Sequence, residues 1–169
     1  MEQVNIEIKA KSLQHEKIRS ILQSHNADFK WLDHQIDTYF NVPHGRLKLR
    51  EWNIENKLIH YERENKEWPK QSNVTLYRSE PNSSLKNILI KAMWILVVID
   101  KKREIYFIDN VKFHIDTVID LWTFIEIEAI DSDWSIGIEK LQEQCQYYLD
   151  QFNIQPEDLI SFSYSDLLM

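Results

Sequence analysis

The chain has 169 residues, of which 43% are hydrophobic and 28% charged, and its formal net charge is −7. This composition is typical of a globular protein with enough apolar material for a core, and the length predicts a single domain over residues 1–169. The negative charge argues against a nucleic-acid partner, because duplex binding depends on neutralising many phosphates; a small anionic substrate in a locally basic pocket stays open. With two glycines in the chain, Gly-rich phosphate loops are excluded.

Three features predict a cytoplasmic protein with no membrane partner. No stretch is long and apolar enough to span a bilayer. The N-terminus lacks a signal-peptide pattern, because Glu2 and Glu7 interrupt it. The single Cys145 excludes an internal disulfide and fits a reducing compartment. Since Cys145 lies in a helical pattern beside Leu141 and Leu149, we predict that it belongs to the core and is not a nucleophile.

The first predicted element is a strand over residues 5–11, where polar and apolar side chains alternate strictly. A helix follows over residues 12–27, for which Ser12 is a suitable cap. A second helix is opened by Pro81 and Ser83-Ser84, and a third, amphipathic helix covers residues 133–153. The remaining strands are predicted at 29–40, 46–50, 57–63, 73–78, 95–107, 111–118 and 123–130.

These elements predict an α+β fold with an antiparallel sheet of about eight strands, because most strands come as hairpin-linked pairs. A polar loop is expected at residues 64–71 and a turn at 53–56. Two arrangements of the sheet are open. The polar strand faces could point to solvent with helices covering the other face, which is common. Alternatively, the sheet closes into a barrel whose interior is polar, with the helices packed outside. We favour the closed barrel, because the cations and carboxylates are concentrated on separate strands.

The in-phase charges of the strands suit phosphate and metal binding. The cations on these faces are Lys9, Lys11, Arg46, Lys48, Arg50, Arg63, Lys101 and Arg103. The carboxylates are Glu7, Asp116, Glu126 and Glu128. Lys and Arg bind phosphate oxygens, and Glu pairs two residues apart suit a hard cation such as Mg²⁺ or Mn²⁺. This combination is what phosphoryl or nucleotidyl transfer needs.

Other chemistry finds less support in the sequence. The six His residues show no zinc-ligand spacing, and no G-x-S-x-G elbow is present. His114 alternates with Asp116 and could face the same interior, but we predict a structural role for it.

Five segments in order resemble the CYTH, or triphosphate tunnel metalloenzyme, superfamily. The first is Asn5-x-Glu7-x-Lys9, which is similar to the E-x-E-x-K signature of that superfamily. The others are Gln35-x-Asp37-x-Tyr39-Phe40, residues 45–50, Val97-Val98 with Lys101-x-Arg103-x-x-Tyr106, and residues 124–128. The C-terminal Ser163-Tyr164-Ser165-Asp166-Leu167-Leu168 resembles the class IV adenylate cyclase-like branch.

The resemblance implies an eight-stranded antiparallel tunnel that binds a triphosphate and a divalent metal, Mg²⁺ or Mn²⁺. Carried over by position, the implied metal ligands are Glu7, Glu126 and Glu128. The implied phosphate-binding residues are Lys9, Lys11, Arg46, Lys48, Arg50, Arg63, Lys101 and Arg103. The implied catalytic residues are Lys9, Arg103 and Asp116. The expected partner is ATP or inorganic triphosphate, and a homodimer is an open alternative to a monomer.

Two departures from the family pattern bear on activity. Asn5 replaces the first signature Glu, so that a neutral amide stands where a carboxylate is usual. The glycines usual before the F-x-E-x-E strand are replaced, and a bulky Trp122 stands there. Three functions follow from the resemblance: an adenylate cyclase that forms cyclic AMP and pyrophosphate, which we favour; an inorganic or organic triphosphatase, for example of thiamine triphosphate; and a non-catalytic nucleotide- or polyphosphate-binding module.

Overall fold

The computed structural model describes residues 4–52, 56–63 and 72–169, except for the side chains of Arg63, Ser72 and Asn73. The predicted loop at 64–71 and most of the predicted turn at 53–56 lie outside the described residues, as does the side chain of Arg63. In the described part of the chain, every helix is too short or too polar to span a bilayer.

Eight strands and four helices follow one another along the chain. The strands are β1 (Val4–Lys11), β2 (Asp28–Phe40), β3 (Arg46–Glu51), β4 (Asn56–Arg63), β5 (Ser72–Ser79), β6 (Ile95–Ile108), β7 (Val111–Val118) and β8 (Thr123–Asp131). The helices are α1 (His15–Ser24), α2 (Leu85–Met93), α3 (Ile138–Gln151) and α4 (Tyr164–Leu168), and a short 3₁₀ turn covers Pro156–Asp158.

The strands form one sheet in the order β1-β8-β7-β6-β2-β3-β4-β5. The pairs β1–β8, β2–β3, β3–β4, β4–β5 and β7–β8 are antiparallel, so the predicted α+β class and eight-stranded antiparallel sheet are confirmed. The hydrogen-bonded order begins at β1 and ends at β5, and among the described residues no pairing joins these two strands. The closed barrel is therefore not confirmed.

The chain divides into two compact units. The first unit contains Met1–Leu32, Arg103–Thr117 and Trp122–Ser161, and the second contains Asp33–Lys102, Val118–Leu121 and Phe162–Met169. The description of one domain over residues 1–169 stays a prediction.

The core of the first unit lies where α3 packs on β1 and β8. Cys145 of α3 is fully buried, and its Sγ lies 3.5 Å from the backbone oxygen of Ile6. Burial raises the pKa of the Cys145 thiol to about 11. The prediction that Cys145 is a core residue is confirmed. Phe113 of β7 packs edge-on against Tyr148 of α3, with ring centroids 4.7 Å apart.

The core of the second unit lies between α2 and the apolar faces of β2, β3 and β4. Phe40, Leu49 and Leu89 form a buried cluster against which Leu58 and Met93 also pack. These apolar residues alternate with the charged residues of the same strands, so the charged faces point away from this core.

Two helices are shorter than the sequence pattern predicts. The N-cap of α1 is Gln14 and not Ser12, whose Oγ accepts the backbone N–H of Gln14 at 3.2 Å. The third helix begins at Ile138, five residues later than predicted. The cause is Asp131, whose carboxylate accepts the backbone N–H groups of Ile136 and Gly137 at 3.0 and 2.9 Å and so holds the chain in a loop.

Candidate functional site

Two clusters of charged side chains contain most of the predicted site residues. The acidic cluster, in the first unit, consists of Glu7, Glu126 and Glu128 with the neighbouring Lys9, Arg103 and Asp116. The basic cluster, in the second unit, consists of Lys48, Arg50 and Lys101 around Asp37. The open-sheet alternative expected the polar strand faces to point to solvent. The polar faces that carry the two clusters do not, because Asp116, Glu126, Asp37 and Lys101 are all buried.

Strand register assembles the acidic cluster. Glu7 of β1 lies opposite Glu128 of β8, and Lys9 lies opposite Glu126. On the other side of β8, His114 of β7 also lies opposite Glu126. Residues that face each other in an antiparallel pair point to the same side of the sheet, so these side chains share one face.

Arg103 connects Asp116 to Glu126. Its Nε and Nη2 atoms donate to the two carboxylate oxygens of Asp116 at 2.7 and 2.6 Å, and Nη2 also donates to Glu126 Oε2 at 3.1 Å. Lys9 Nζ lies 3.8 Å from the same Glu126 oxygen. This forked contact fixes the plane of the Arg103 guanidinium.

The carboxylates of the acidic cluster repel one another. The neighbouring Glu126 carboxylate, together with burial, raises the pKa of Glu7 to about 7, although Lys9 acts in the opposite direction. Burial alone would raise the pKa of Glu126, but Lys9 and Arg103 hold it well below the usual range. The pKa of Glu128 is raised, mainly by burial. Burial and the nearby Arg103 lower the pKa of His114 to about 4, so this imidazole is neutral near pH 7.

Asn5 extends the cluster along β1. Its Nδ2 donates to Glu128 Oε1 at 2.7 Å, whereas its Oδ1 is buried and has no hydrogen-bond partner among the described residues. Carboxylate and amide oxygens are the ligands that hard divalent cations prefer, and a cation would relieve the repulsion at Glu7. The donor set therefore fits Mg²⁺ or Mn²⁺. Within the described residues, no three His, Cys, Asp or Glu side chains are already arranged as a metal-binding group.

The basic cluster is built on β2, β3 and β6. Lys48 Nζ donates to Asp37 Oδ2 at 2.9 Å, and Arg50 donates through Nε and Nη2 to the two Asp37 oxygens at 2.6 and 2.7 Å. Lys101 Nζ lies 3.6 Å from Asp37 Oδ2. The exposed fraction of the side chain is 12% for Lys48, 16% for Arg50, 4% for Lys101 and 2% for Asp37. Burial would raise the pKa of Asp37, but the three cations hold it well below the usual range.

Two of the sequence-predicted phosphate-binding residues, Arg46 and Lys11, lie outside both clusters. Arg46 donates to Ser163 Oγ at 2.6 Å and to the Asp166 oxygens at 2.9 and 3.1 Å. Ser163 is the N-cap of α4, and Asp166 lies within that helix. Lys11 is exposed, and its Nζ lies 5.2 Å from the centroid of the Trp122 ring. The side chain of Arg63 is not among those described.

Sequence reasoning did not include Asp37 and Asp166 among the site residues. Asp37 is in phase with Gln35 and Tyr39 on its strand, and this alternation is the one feature of the sequence that could have indicated its place on the polar face. Asp166 lies 120 residues from Arg46 along the chain, and no spacing pattern connects the two.

A model of the CYTH domain matches residues 3–160. The chain belongs to the CYTH domain family. The predicted membership is thereby confirmed, and CYTH proteins are typically enzymes of triphosphate chemistry that use divalent metals. No curated protein matches this CYTH chain.

Solved structures show the same fold. A protein from Pyrococcus horikoshii OT3 superposes with a TM-score of 0.81 at 22% identity, over 97% of this CYTH chain and 99% of its own. A candidate adenylate cyclase from Vibrio parahaemolyticus has a TM-score of 0.78 at 16% identity, over 99% of each chain. A candidate adenylyl cyclase from Hippeastrum, described as having a dominant triphosphatase activity, has a TM-score of 0.67 at 12% identity, over 99% of this chain and 94% of its own. At these identities the likeness concerns the fold alone.

Proposed function

We propose that this CYTH protein is a divalent-metal-dependent enzyme that acts on a triphosphate, and that its reaction is of the class IV adenylate cyclase kind. In that reaction the ribose 3′ oxygen of ATP loses its proton and bonds to the α-phosphorus, the bond to the bridging oxygen breaks, and pyrophosphate leaves. The observation that carries the proposal is the convergence of Lys48, Arg50 and Lys101 on the single buried carboxylate Asp37.

The basic cluster would hold phosphate oxygens. Removing several charges from water is costly, and hydrophobic residues of similar size often give equal or greater stability at such positions. A function for the charges is therefore the simplest reason for the cluster. Ammonium and guanidinium groups that bind a carboxylate also bind phosphate oxygens, with Arg able to fork onto two of them. Arg46 and Arg63, assigned from the sequence, belong to the same proposal.

The acidic cluster would hold the metal through Glu7, Glu126 and Glu128, with Asn5 beside them. A bound Mg²⁺ or Mn²⁺ would neutralise phosphate charge and help the ribose hydroxyl lose its proton. The repulsion that raises the pKa of Glu7 supports this assignment, as does Asn5 Oδ1, which has no partner in the part of the chain that the structure describes.

Arg103, Lys9 and Asp116 would stabilise the transition state. Arg103 and Lys9 both lie at Glu126, where they can neutralise charge that develops on phosphate oxygens. Asp116 would act through Arg103, because it accepts two of the Arg103 hydrogen bonds and fixes that side chain. Asp116 is thus proposed as a positioning residue.

A triphosphatase is the second candidate, in which a water attacks a terminal phosphorus of an inorganic or organic triphosphate. The Hippeastrum relative described with dominant triphosphatase activity favours it. The neutral Asn5 favours a third candidate, a module that binds nucleotide or polyphosphate without turnover.

The test is incubation with ATP or inorganic triphosphate, plus Mn²⁺ or Mg²⁺, with the products resolved by chromatography. We expect equal amounts of cyclic AMP and pyrophosphate from ATP, with formation lost in Arg103→Met. The control Lys140→Met removes an exposed lysine of α3 that pairs with Glu143, and it should retain activity.

Each other result decides between the candidates. Orthophosphate without cyclic AMP would establish the triphosphatase. Binding of either compound without turnover would establish the binding module, and Asn5→Glu is then the variant to assay for activity. Calorimetry that detects no binding of either compound, with and without metal, would refute all three.

A further inference from the structure

Trp122 is half exposed and lies directly before β8. The residue is 53% exposed, and Lys11 Nζ lies 5.2 Å from the centroid of its ring. Neither side chain belongs to the acidic or the basic cluster. An exposed indole ring offers a flat face on which a planar group such as a nucleobase can stack.

A cavity of about 310 Å³ opens beside this pair. Its lining includes Lys11, Leu13, Gln14, Trp122, Asn153 and Asp158. This volume is at the lower end of the range for small-molecule sites. The lining combines apolar surface with amide and carboxylate groups, which is the chemistry that a flat ring with a polar edge requires.

Hydrogen bonds define the walls of the cavity. The backbone N–H of Ser12 donates to the Thr123 oxygen at 3.0 Å, and Thr123 Oγ1 donates back to the Ser12 oxygen. The N–H of Ile154 donates to the Leu149 oxygen at 3.0 Å, which fixes the segment after α3. Phe152, which also lines the cavity, is 2% exposed. The cavity is therefore preformed.

One lining residue of the cavity, Lys11, belongs to the β1 face that carries the acidic cluster. Glu7, Lys9 and Lys11 occupy alternate positions of β1, so they point to the same side. Lys11 lies roughly 7 Å beyond Lys9, from the rise of a strand. Lys9 pairs with Glu126 in the acidic cluster. A nucleotide whose α-phosphate lay near Lys9 would have its base within reach of Lys11 and Trp122.

We propose that this cavity takes the base of a nucleoside triphosphate, stacked on the indole of Trp122, with Gln14, Asn153 and Asp158 available to its polar edge. This inference rests on the proposed function and names the substrate class: a nucleoside triphosphate is preferred over inorganic triphosphate. Lys11, which the sequence assigned to phosphate, is placed here beside the base. Inorganic triphosphate has no group that would contact Trp122.

The test compares three ligands and four proteins. ATP, inorganic triphosphate and adenosine, which has no phosphate, are all titrated by calorimetry, the two triphosphates in the presence of Mn²⁺. The proteins are wild type, Trp122→Leu, Trp122→Phe and the control Trp134→Leu, which removes another exposed tryptophan of the first unit. If Trp122→Leu does not fold, Trp122→Met replaces it.

Trp122→Leu should weaken ATP about tenfold, from the usual contribution of a base–aromatic stack. It should abolish the adenosine signal and leave inorganic triphosphate unchanged. Trp122→Phe should restore most of the ATP affinity, and Trp134→Leu should behave as wild type. Equal weakening of ATP and inorganic triphosphate, or no change in ATP and adenosine, would overturn the inference while the proposed function stands. If wild type bound neither triphosphate, the proposed function would fail, and the adenosine signal alone would decide whether the cavity binds a base.

Discussion

Asp37 in the second unit and Glu126 in the first are both buried carboxylates on a charged strand face, and their surroundings differ. Asp37 is contacted by Lys48, Arg50 and Lys101, and these cations hold its pKa well below the usual range. Glu126 is contacted by Lys9 and Arg103, but Glu7 lies beside it. The Glu7 and Glu126 carboxylates repel each other, and this repulsion raises the pKa of Glu7.

The difference indicates what each cluster can accept. The basic cluster has an excess of basic groups, because Lys48, Arg50 and Lys101 surround a single carboxylate. The acidic cluster holds a repulsion that a divalent cation would remove. We therefore expect the basic cluster to bind anions and the acidic cluster to bind metals.

Removal of the Asp37 charge should have the largest effect. Asp37→Asn leaves Lys48, Arg50 and Lys101 buried without the carboxylate they share, and breaking a buried ion pair in this way costs about 3–5 kcal/mol. Urea denaturation should show this loss. Asp100→Asn is the control, because Asp100 pairs with a half-exposed His34 and its loss should cost about 0–1 kcal/mol. Equal losses in the two variants would contradict the special position of Asp37.

Acid should act on the same carboxylate. Because the pKa of Asp37 is lower in the folded protein than in the unfolded chain, its contribution is complete above the unfolded value of about 3.9. That contribution is lost as pH falls through the folded value. The free energy of unfolding, measured from pH 7 downwards, should therefore fall more steeply for wild type than for Asp37→Asn. Parallel curves for the two proteins would exclude Asp37 as a cause of acid lability.

Metal binding should depend on the first unit alone. Glu7→Gln or Glu128→Gln should weaken Mn²⁺ binding by more than about tenfold, since loss of even an indirect contact to a metal typically costs that much. Electron paramagnetic resonance of free Mn²⁺ gives the affinity without an activity assay. Glu139→Gln, on the exposed first turn of α3, is the matched control. Undiminished Mn²⁺ binding in both cluster variants would remove them from the proposed ligand set.

The sequence predicts the strands and their charged faces well, because alternation with period two is a local property. The strand Val111–Val118 has the predicted bounds, and Glu126 and Glu128 lie in phase as expected. The CYTH resemblance rests on the same local segments. The resemblance also indicated which charged residues along the chain belong to the site; the roles of these residues are proposals.

The partners of these charges could not be predicted, because they depend on pairing between distant strands. Asp37 resembles any polar residue of a strand face until the register of β2 and β3 places it opposite Arg50. The late start of α3 is decided by Asp131, whose carboxylate binds four backbone N–H groups that a helix would otherwise leave to water. The periodicity of apolar residues does not show that a side chain such as Asp131 will bind these N–H groups and delay the helix.

The smallest effect is expected at Arg46, which the sequence assigned to phosphate binding. Its guanidinium already donates to Ser163 and Asp166, and both side chains of the Arg46–Asp166 pair are about one fifth exposed, at 23% and 19%. Arg46→Met should therefore cost about 1 kcal/mol or less in stability. It should also weaken inorganic triphosphate less than Lys48→Met does, because Lys48 lies in the basic cluster. Calorimetry with both variants makes the comparison, with hydrogen exchange at α4 as a second measurement. If the two variants weakened triphosphate equally, Arg46 would have to leave Asp166 when the ligand binds, and exchange at α4 would then rise on addition of triphosphate to wild type.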